Sequence, residues 1–250
     1  MIKIKSFFDT TAGRRVFVVI LVALIAVGIL ALFNIYQTYA GYQAAKDEYD
    51  ELRDIALVVI APSPADPEIV LSIDIDLKEI NPSYVCWLNI DGTEVDYPVV
   101  QGQDNEYYMY RTFRGERNSA GTPFMDILCP GGLDAPLSII YGHNMHDGSM
   151  FSALHSYRKD DYFFEHPYIT IVPYESEPLT YRIFAILQTD VFDPIFELRG
   201  ADYHDVFSYC STIGKPDGSG NVLVLSTCTT GGSDDDRFLV VAAQEELFLT

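Results

Sequence analysis

Cys228 closes the apolar run Val222-Leu-Val-Leu-Ser-Thr227, and a polar loop, Thr229-Thr-Gly-Gly-Ser-Asp-Asp-Asp236, separates it from Arg237, which opens a second apolar run. A cysteine placed where a buried strand surfaces, facing an arginine across a short loop, has the ingredients of a nucleophile. The thiolate is the reactive form, a neighbouring cation favours it, and the same cation can take the charge that develops on an attacked carbonyl. His143 stands in Tyr141-Gly-His-Asn-Met-His-Asp-Gly-Ser149, again just after an apolar run. Imidazole is the usual proton carrier for such chemistry. Each feature also has a plain reading, a buried strand-end cysteine and a turn histidine. The H-x-x-H spacing of His143 and His146 could hold zinc together with Cys228, but a fourth ligand is missing. Asp234, Asp235 and Asp236 read as a solvated loop, since a calcium loop alternates its oxygen ligands. His155, His166 and His204 have no readable cysteine or carboxylate context and read as surface or helix residues.

The elements that must position these side chains are mostly strands. Short β-branched or aromatic runs bounded by Gly, Pro, Asn and Asp cover Val85–Ile90, Glu94–Val99, Leu137–Tyr141, Tyr168–Val172, Thr180–Gln188, Val222–Thr227 and Phe238–Ala243. The Asp91-Gly92 step between the first two suits a hairpin turn. Two helices interrupt the series. One follows Ser149, with Met150, Phe151, Leu154 and Tyr157 on one face; the other follows Asp202, with Tyr203, Val206, Phe207 and Cys210 on one face. Too few helices alternate with strands for a doubly wound sheet, so the expectation is a mainly β, mixed barrel.

Upstream, Val16–Phe33 is an uncharged run of 18 residues. As a helix it covers about 27 Å, enough to cross a bilayer core. Arg14 and Arg15 precede it directly, with Lys3 and Lys5 beyond, which places residues 1–15 in the cytoplasm and residues 34–250 outside. A cleaved signal peptide is the competing reading, but Asn34-Ile35-Tyr36-Gln37 offers no small-x-small site. Residues 34–58 carry a helical pattern and Ala61–Pro67 reads as a stiff linker, so 34–72 is expected to be a helical segment with linker and 73–250 the folded domain. The formal charge of −20 excludes nucleic-acid binding and suits an exported, soluble domain. None of the four cysteines forms a C-x-x-C pair, and four are too few for a disulfide scaffold; a bridge between Cys86 and Cys129 has no support from spacing.

Taken together, Asn81–Val100, Asp104–Met109, Ala120–Asp126, Tyr141–Phe151 and Leu225–Cys228 with Arg237 resemble, in that order, the signatures of class B of the sortase family. The resemblance implies an eight-stranded sortase-type barrel with N-terminal helices and a helix in the long loop before the nucleophile strand. It also implies that Cys228 attacks a threonine carbonyl within a sorting signal near the C-terminus of a surface protein, leaving a thioester. An amine then resolves it, either on a cell-wall peptide or on a pilin lysine. His143 would carry the proton and Arg237 the oxyanion, with the Thr229 backbone N–H as a second donor. Tyr141, Ser226, Asn105 and Met109 would line the peptide groove. Met109 stands where the family more often has leucine, a volume-conserving difference. No cofactor and no metal is implied. Cys86 and Cys129 lie outside the signatures. A cysteine protease that resolves the acyl-enzyme with water would use the same residues, whereas a non-catalytic binding module would not need all three.

Overall fold

The β-branched and aromatic runs form strands, and their closure into a barrel is what brings the distant motifs together. In a computed structural model, which describes residues 10–60, 76–129, 131–216, 220–229, 231 and 233–245, the strands are β1 (Tyr84–Asn89), β2 (Asp96–Val100), β3 (Phe124–Met125), β4 (Leu137–Tyr141), β5 (Tyr168–Pro173), β6 (Leu179–Asp190), β7 (Val222–Cys228) and β8 (Asp236–Gln244). They close in the order β1-β2-β3-β4-β7-β8-β6-β5, the mainly β, eight-stranded barrel expected. Pairing is parallel between β2 and β3 and between β4 and β7, and antiparallel elsewhere. Closure leaves no edge strand exposed to pair with another chain. Seven strands follow the apolar runs of the sequence. The eighth, β3, has two residues, too few for any alternation to be read.

Alternation along β7 divides two cores. Leu223 and Leu225 enter the barrel interior with Leu88, Ile140, Phe238 and Val240. Val222 and Val224 face outward, against Leu239, Val241, Val206 and Cys210. Burial on both faces is why this strand reads as an unbroken apolar run. Outward-facing packing comes from α3 (Tyr203–Ile213), in the connection between β6 and β7. Asp202 caps α3, its carboxylate accepting the Asp205 N–H at 3.0 Å.

The segment after Ser149 is a 3₁₀ helix, Phe151–Arg158, rather than an α-helix, and α2 (Asp160–Glu165) follows it. Phe151, Leu154 and Tyr157 are its buried residues. Their three-residue spacing fits the three residues per turn of a 3₁₀ helix and stacks all three rings and chains on one line against the barrel.

A single helix, α1, runs over Thr11–Ile60. The chain divides into two units, Met1–Ala44 and Ala45–Thr250. In the first, every residue from Val16 to Phe33 is exposed and the apolar character extends all round the helix. In the second, Ala45, Tyr49, Leu52 and Ala56 are buried in one stripe and pack with Tyr84, Trp87 and Tyr97. The expected linker over Ala61–Pro67 and the expected domain start at residue 73 lie outside the described residues.

Candidate active site

Cys228 and Arg237 are directly paired across β7 and β8. Opposed residues of an antiparallel pair share a face, and this face is the outer one, that of Val224 and Leu239. The register therefore places the thiol and the guanidinium on the same side of the barrel wall. Cys228 is exposed, whereas Cys86, Cys129 and Cys210 are buried, and all four are free thiols. Burial pushes the Cys129 and Cys210 thiols up to about 11. The Arg237 Nη1 donates to the carbonyls of Asp234 at 2.7 Å and Asp236 at 3.0 Å. The Asp236 carboxylate accepts the Ser233 N–H at 2.8 Å and the Ser233 hydroxyl at 3.0 Å, closing the loop. The aspartate run thus shapes the turn that aims the arginine. Among the described residues no group of three His, Cys, Asp or Glu side chains is arranged to hold a metal.

His143 arrives from β4, whose Tyr141 is in register with Ser226. The Gly142 N–H donates to the Ser226 carbonyl at 3.1 Å, so the chain leaves the strand beside the end of β7 that carries Cys228. Glycine is required here: a Cβ on residue 142 would lie 2.6 Å from the Phe151 ring. The Phe151 N–H in turn binds the His143 carbonyl at 2.9 Å. The His143 Nε2 donates to the Met109 carbonyl at 2.7 Å, which fixes the ring and leaves Nδ1 as the acceptor of the neutral form. Met109 is placed by its own neighbours. The Asp104 carboxylate accepts the N–H groups of Glu106 and Tyr107 and starts the turn. At Gly121, with φ +62°, a Cβ would meet the Met109 oxygen at 2.6 Å. The Tyr49 hydroxyl, from α1, donates to the Gly121 carbonyl at 2.6 Å.

His143, Cys228 and Arg237 all line one open cleft of about 370 Å³. Asn105, Met109, Tyr141 and Ser226 line it too, as do Asp234 and three residues that the sequence did not single out, Tyr110, Thr122 and Phe124. Thr229 is not among the lining residues; its N–H points to the Asp236 carbonyl at 3.4 Å.

Beneath the cleft sits Asp126, fully buried. Its carboxylate accepts from Asn105 at 2.9 Å, the Leu128 N–H at 2.9 Å, the Tyr141 hydroxyl at 2.7 Å and Arg199 at 2.9 Å. Burial works to raise its pKa, yet these donors together hold the carboxyl below its ordinary value. Burial, then the charge of Asp126, pushes the Tyr141 phenol up, so it stays a donor. Asn105 is held at both ends of its carboxamide, its oxygen accepting the Ile127 N–H at 3.0 Å. Sequence reading missed this cluster because Asp126 and Arg199 are distant in the chain. The only available signal was a carboxylate inside an otherwise apolar segment.

Residues 88–245 match the Sortase domain family. The chain is 35% identical over 167 residues to sortase B of Listeria monocytogenes, covering 62% of this chain and 66%, just under two thirds, of that protein. Among solved structures, a mutant form of Clostridium perfringens sortase B superimposes with a TM-score of 0.69 at 28% identity, covering 80% of this chain and 97% of that one. A class B sortase of Streptococcus pyogenes involved in pilus biogenesis gives a TM-score of 0.60 at 28% identity, covering 68% and 97%.

Proposed function

The chain belongs to the sortase family, and from that membership we propose that it is a membrane-anchored cysteine transpeptidase of class B type. The observation that carries the reading is the cross-strand pair of Cys228 and Arg237 on a cleft that His143 also lines. The Cys228 thiol passes its proton to the free His143 Nδ1 as the sulfur attacks the carbonyl carbon of a threonine in the sorting signal, and the carbonyl oxygen takes the negative charge. Arg237 donates to that oxygen. Its Nη1 bonds to the loop carbonyls fix its direction beforehand, the preorganisation that makes such donors effective. The C–N bond then breaks, His143 gives its proton to the leaving amine, and a thioester to Cys228 remains. An incoming amine attacks the thioester, the C–S bond breaks, and the proton that His143 takes from the amine passes to the departing sulfur, restoring the Cys228 thiol and the neutral imidazole. The Thr229 N–H serves as second oxyanion donor by exchanging its long bond to Asp236 for the substrate oxygen.

Asn105, Met109, Tyr141 and Ser226 bind the signal peptide, with Asp126 keeping Asn105 and Tyr141 in place from below. Val16–Phe33 anchors the chain, with residues 34–250 outside the cell. The acceptor is a cell-wall amine. A pilin lysine is the second reading, favoured by the likeness to the Streptococcus pyogenes protein.

Mass spectrometry of the full chain with a sorting-signal peptide, with and without added amines, tests the reading. The expected result is a thioester on Cys228 that amines resolve faster than water, and none on Cys228→Ala. Release by water alone, unaffected by amines, makes the protein a hydrolase instead.

A further inference from the structure

His155, on the 3₁₀ helix Phe151–Arg158, comes up behind the nucleophile. Its Nε2 lies 3.0 Å from the backbone carbonyl oxygen of Cys228. A carbonyl only accepts, so Nε2 carries the hydrogen. The same oxygen accepts the Asn144 Nδ2 at 3.2 Å. The ring packs 4.7 Å from that of Phe238, and the Arg158 guanidinium lies 5.3 Å from the same Phe238 ring. The His155 Nδ1 is buried without a partner. A second proton would sit on that nitrogen with no acceptor, next to a cation, so the imidazole is held neutral with its one N–H aimed at Cys228. Burial first, and Arg158 as well, keep its pKa below the ordinary value, against the opposing effect of the Cys228 carbonyl.

We propose that His155 is a positioning residue for the nucleophile: with Asn144 it fixes the carbonyl of Cys228, and so sets the plane of the Cys228–Thr229 peptide. The peptide is planar and trans, so its C=O and N–H point in opposite directions. Two donors on the carbonyl therefore also aim the Thr229 N–H, which faces the Asp236 carbonyl at 3.4 Å. A bond that long is weak, and it leaves the N–H aimed but readily surrendered to a substrate oxygen. The inference rests on the transpeptidase reading for its kinetic consequence, and on geometry alone for the peptide plane.

The test uses the full chain in detergent, with His155→Gln, which keeps a donor in place of Nε2–H, and His155→Leu, which keeps bulk without one. Cysteine labelled at its carbonyl carbon and threonine at its nitrogen give one correlated amide signal, because Cys-Thr occurs only at 228–229. In His155→Leu this signal should move and its amide exchange accelerate by about tenfold, while His155→Gln stays near the wild type. Threonine-containing quenched pentapeptides, chosen as those the wild type cleaves best, supply the kinetics. His155→Leu should lose about tenfold or more in kcat with KM within about twofold, and His155→Gln should recover most of it. An unmoved Thr229 signal with unchanged kcat in His155→Leu overturns the proposal, as does His155→Gln failing as badly as His155→Leu. If the wild type cleaves none of the peptides, the transpeptidase reading fails and the amide signal alone decides whether His155 sets the peptide plane. Should His155→Leu not fold, the nitrogen spectrum of wild-type His155 decides: a neutral Nε2–H ring upholds the proposal, and an Nδ1–H or charged ring at neutral pH overturns it.

Discussion

Arg237 reaches its place by bonding its own loop, and that makes its role separable from its charge. Nη1 is committed to the Asp234 and Asp236 carbonyls, and the other guanidinium N–H groups have no partner among the described residues. Lysine can supply the charge but not a planar fork that holds the loop with one arm and an oxyanion with the other. Arg237→Lys should therefore lose roughly 100–1,000-fold in turnover, the usual cost of one directed oxyanion donor, with iodoacetamide labelling of Cys228 proceeding at a similar rate. Turnover within about threefold of wild type would refute a directed bond. The thiols give a second residue-scale expectation. Only Cys228 is exposed, and burial keeps Cys129 and Cys210 protonated and inert. Brief iodoacetamide treatment of native protein should label Cys228 alone, and denaturation without reductant should release all four thiols, as peptide mapping would reveal. Histidine 155 adds a pH dependence. Its folded pKa is depressed, mainly by burial, so below the ordinary value of about 6.5 the unfolded chain binds the proton first. Stability should fall as pH drops from there towards the folded value, and thermal melts of His155→Gln should show less of that fall.

Elements govern the site through the backbone of residues 108–122. Tyr49 on α1 donates to the Gly121 carbonyl, Gly121 abuts the Met109 carbonyl without a Cβ between them, and that carbonyl holds His143. A side chain on a distant helix is thus three contacts from His143. Gly121→Ala forces a Cβ into the backbone at positive φ, and should cost about 1–3 kcal/mol of stability. It should also lower kcat more than Tyr49→Phe does. The latter removes the hydroxyl's bonds to the Gly121 carbonyl and to the Thr122 hydroxyl, each worth about 1 kcal/mol, and leaves the close backbone approach intact. Melting curves and steady-state kinetics of both variants would check the order; equal loss of kcat in the two would show that Gly121 does not act through Met109.

For the whole molecule, the same chain carries an exposed apolar helix of membrane-crossing length and a closed barrel. The exposed apolar run from Val16 to Phe33 costs too much in water to stand alone. Expressed in cells, the protein should stay with the membrane fraction after alkaline washing, and protease added outside should digest residues beyond 34. A mature N-terminus near residue 35 would show that the segment is removed instead.

The sequence by itself determined the types and local settings of the three chemical residues, seven of the eight strands, the helix before β7 and the apolar N-terminal run. These are legible because strand alternation, breakers and apolar length are properties of neighbouring residues. What it did not determine depends on closure. β3 exists because β2 and β4 flank it, not because two residues specify a strand. The helix after Ser149 is 3₁₀ because the barrel wall takes Phe151, Leu154 and Tyr157 on one line. His155 looked like a surface residue, and the Asp126–Arg199 pair spans 73 positions of sequence. Pairing Cys228 with Arg237, and both with the Met109-held His143, follows from strand register and from loops meeting across the barrel rim. Those are through-space relations that no local spacing encodes, and only the folded chain decides them.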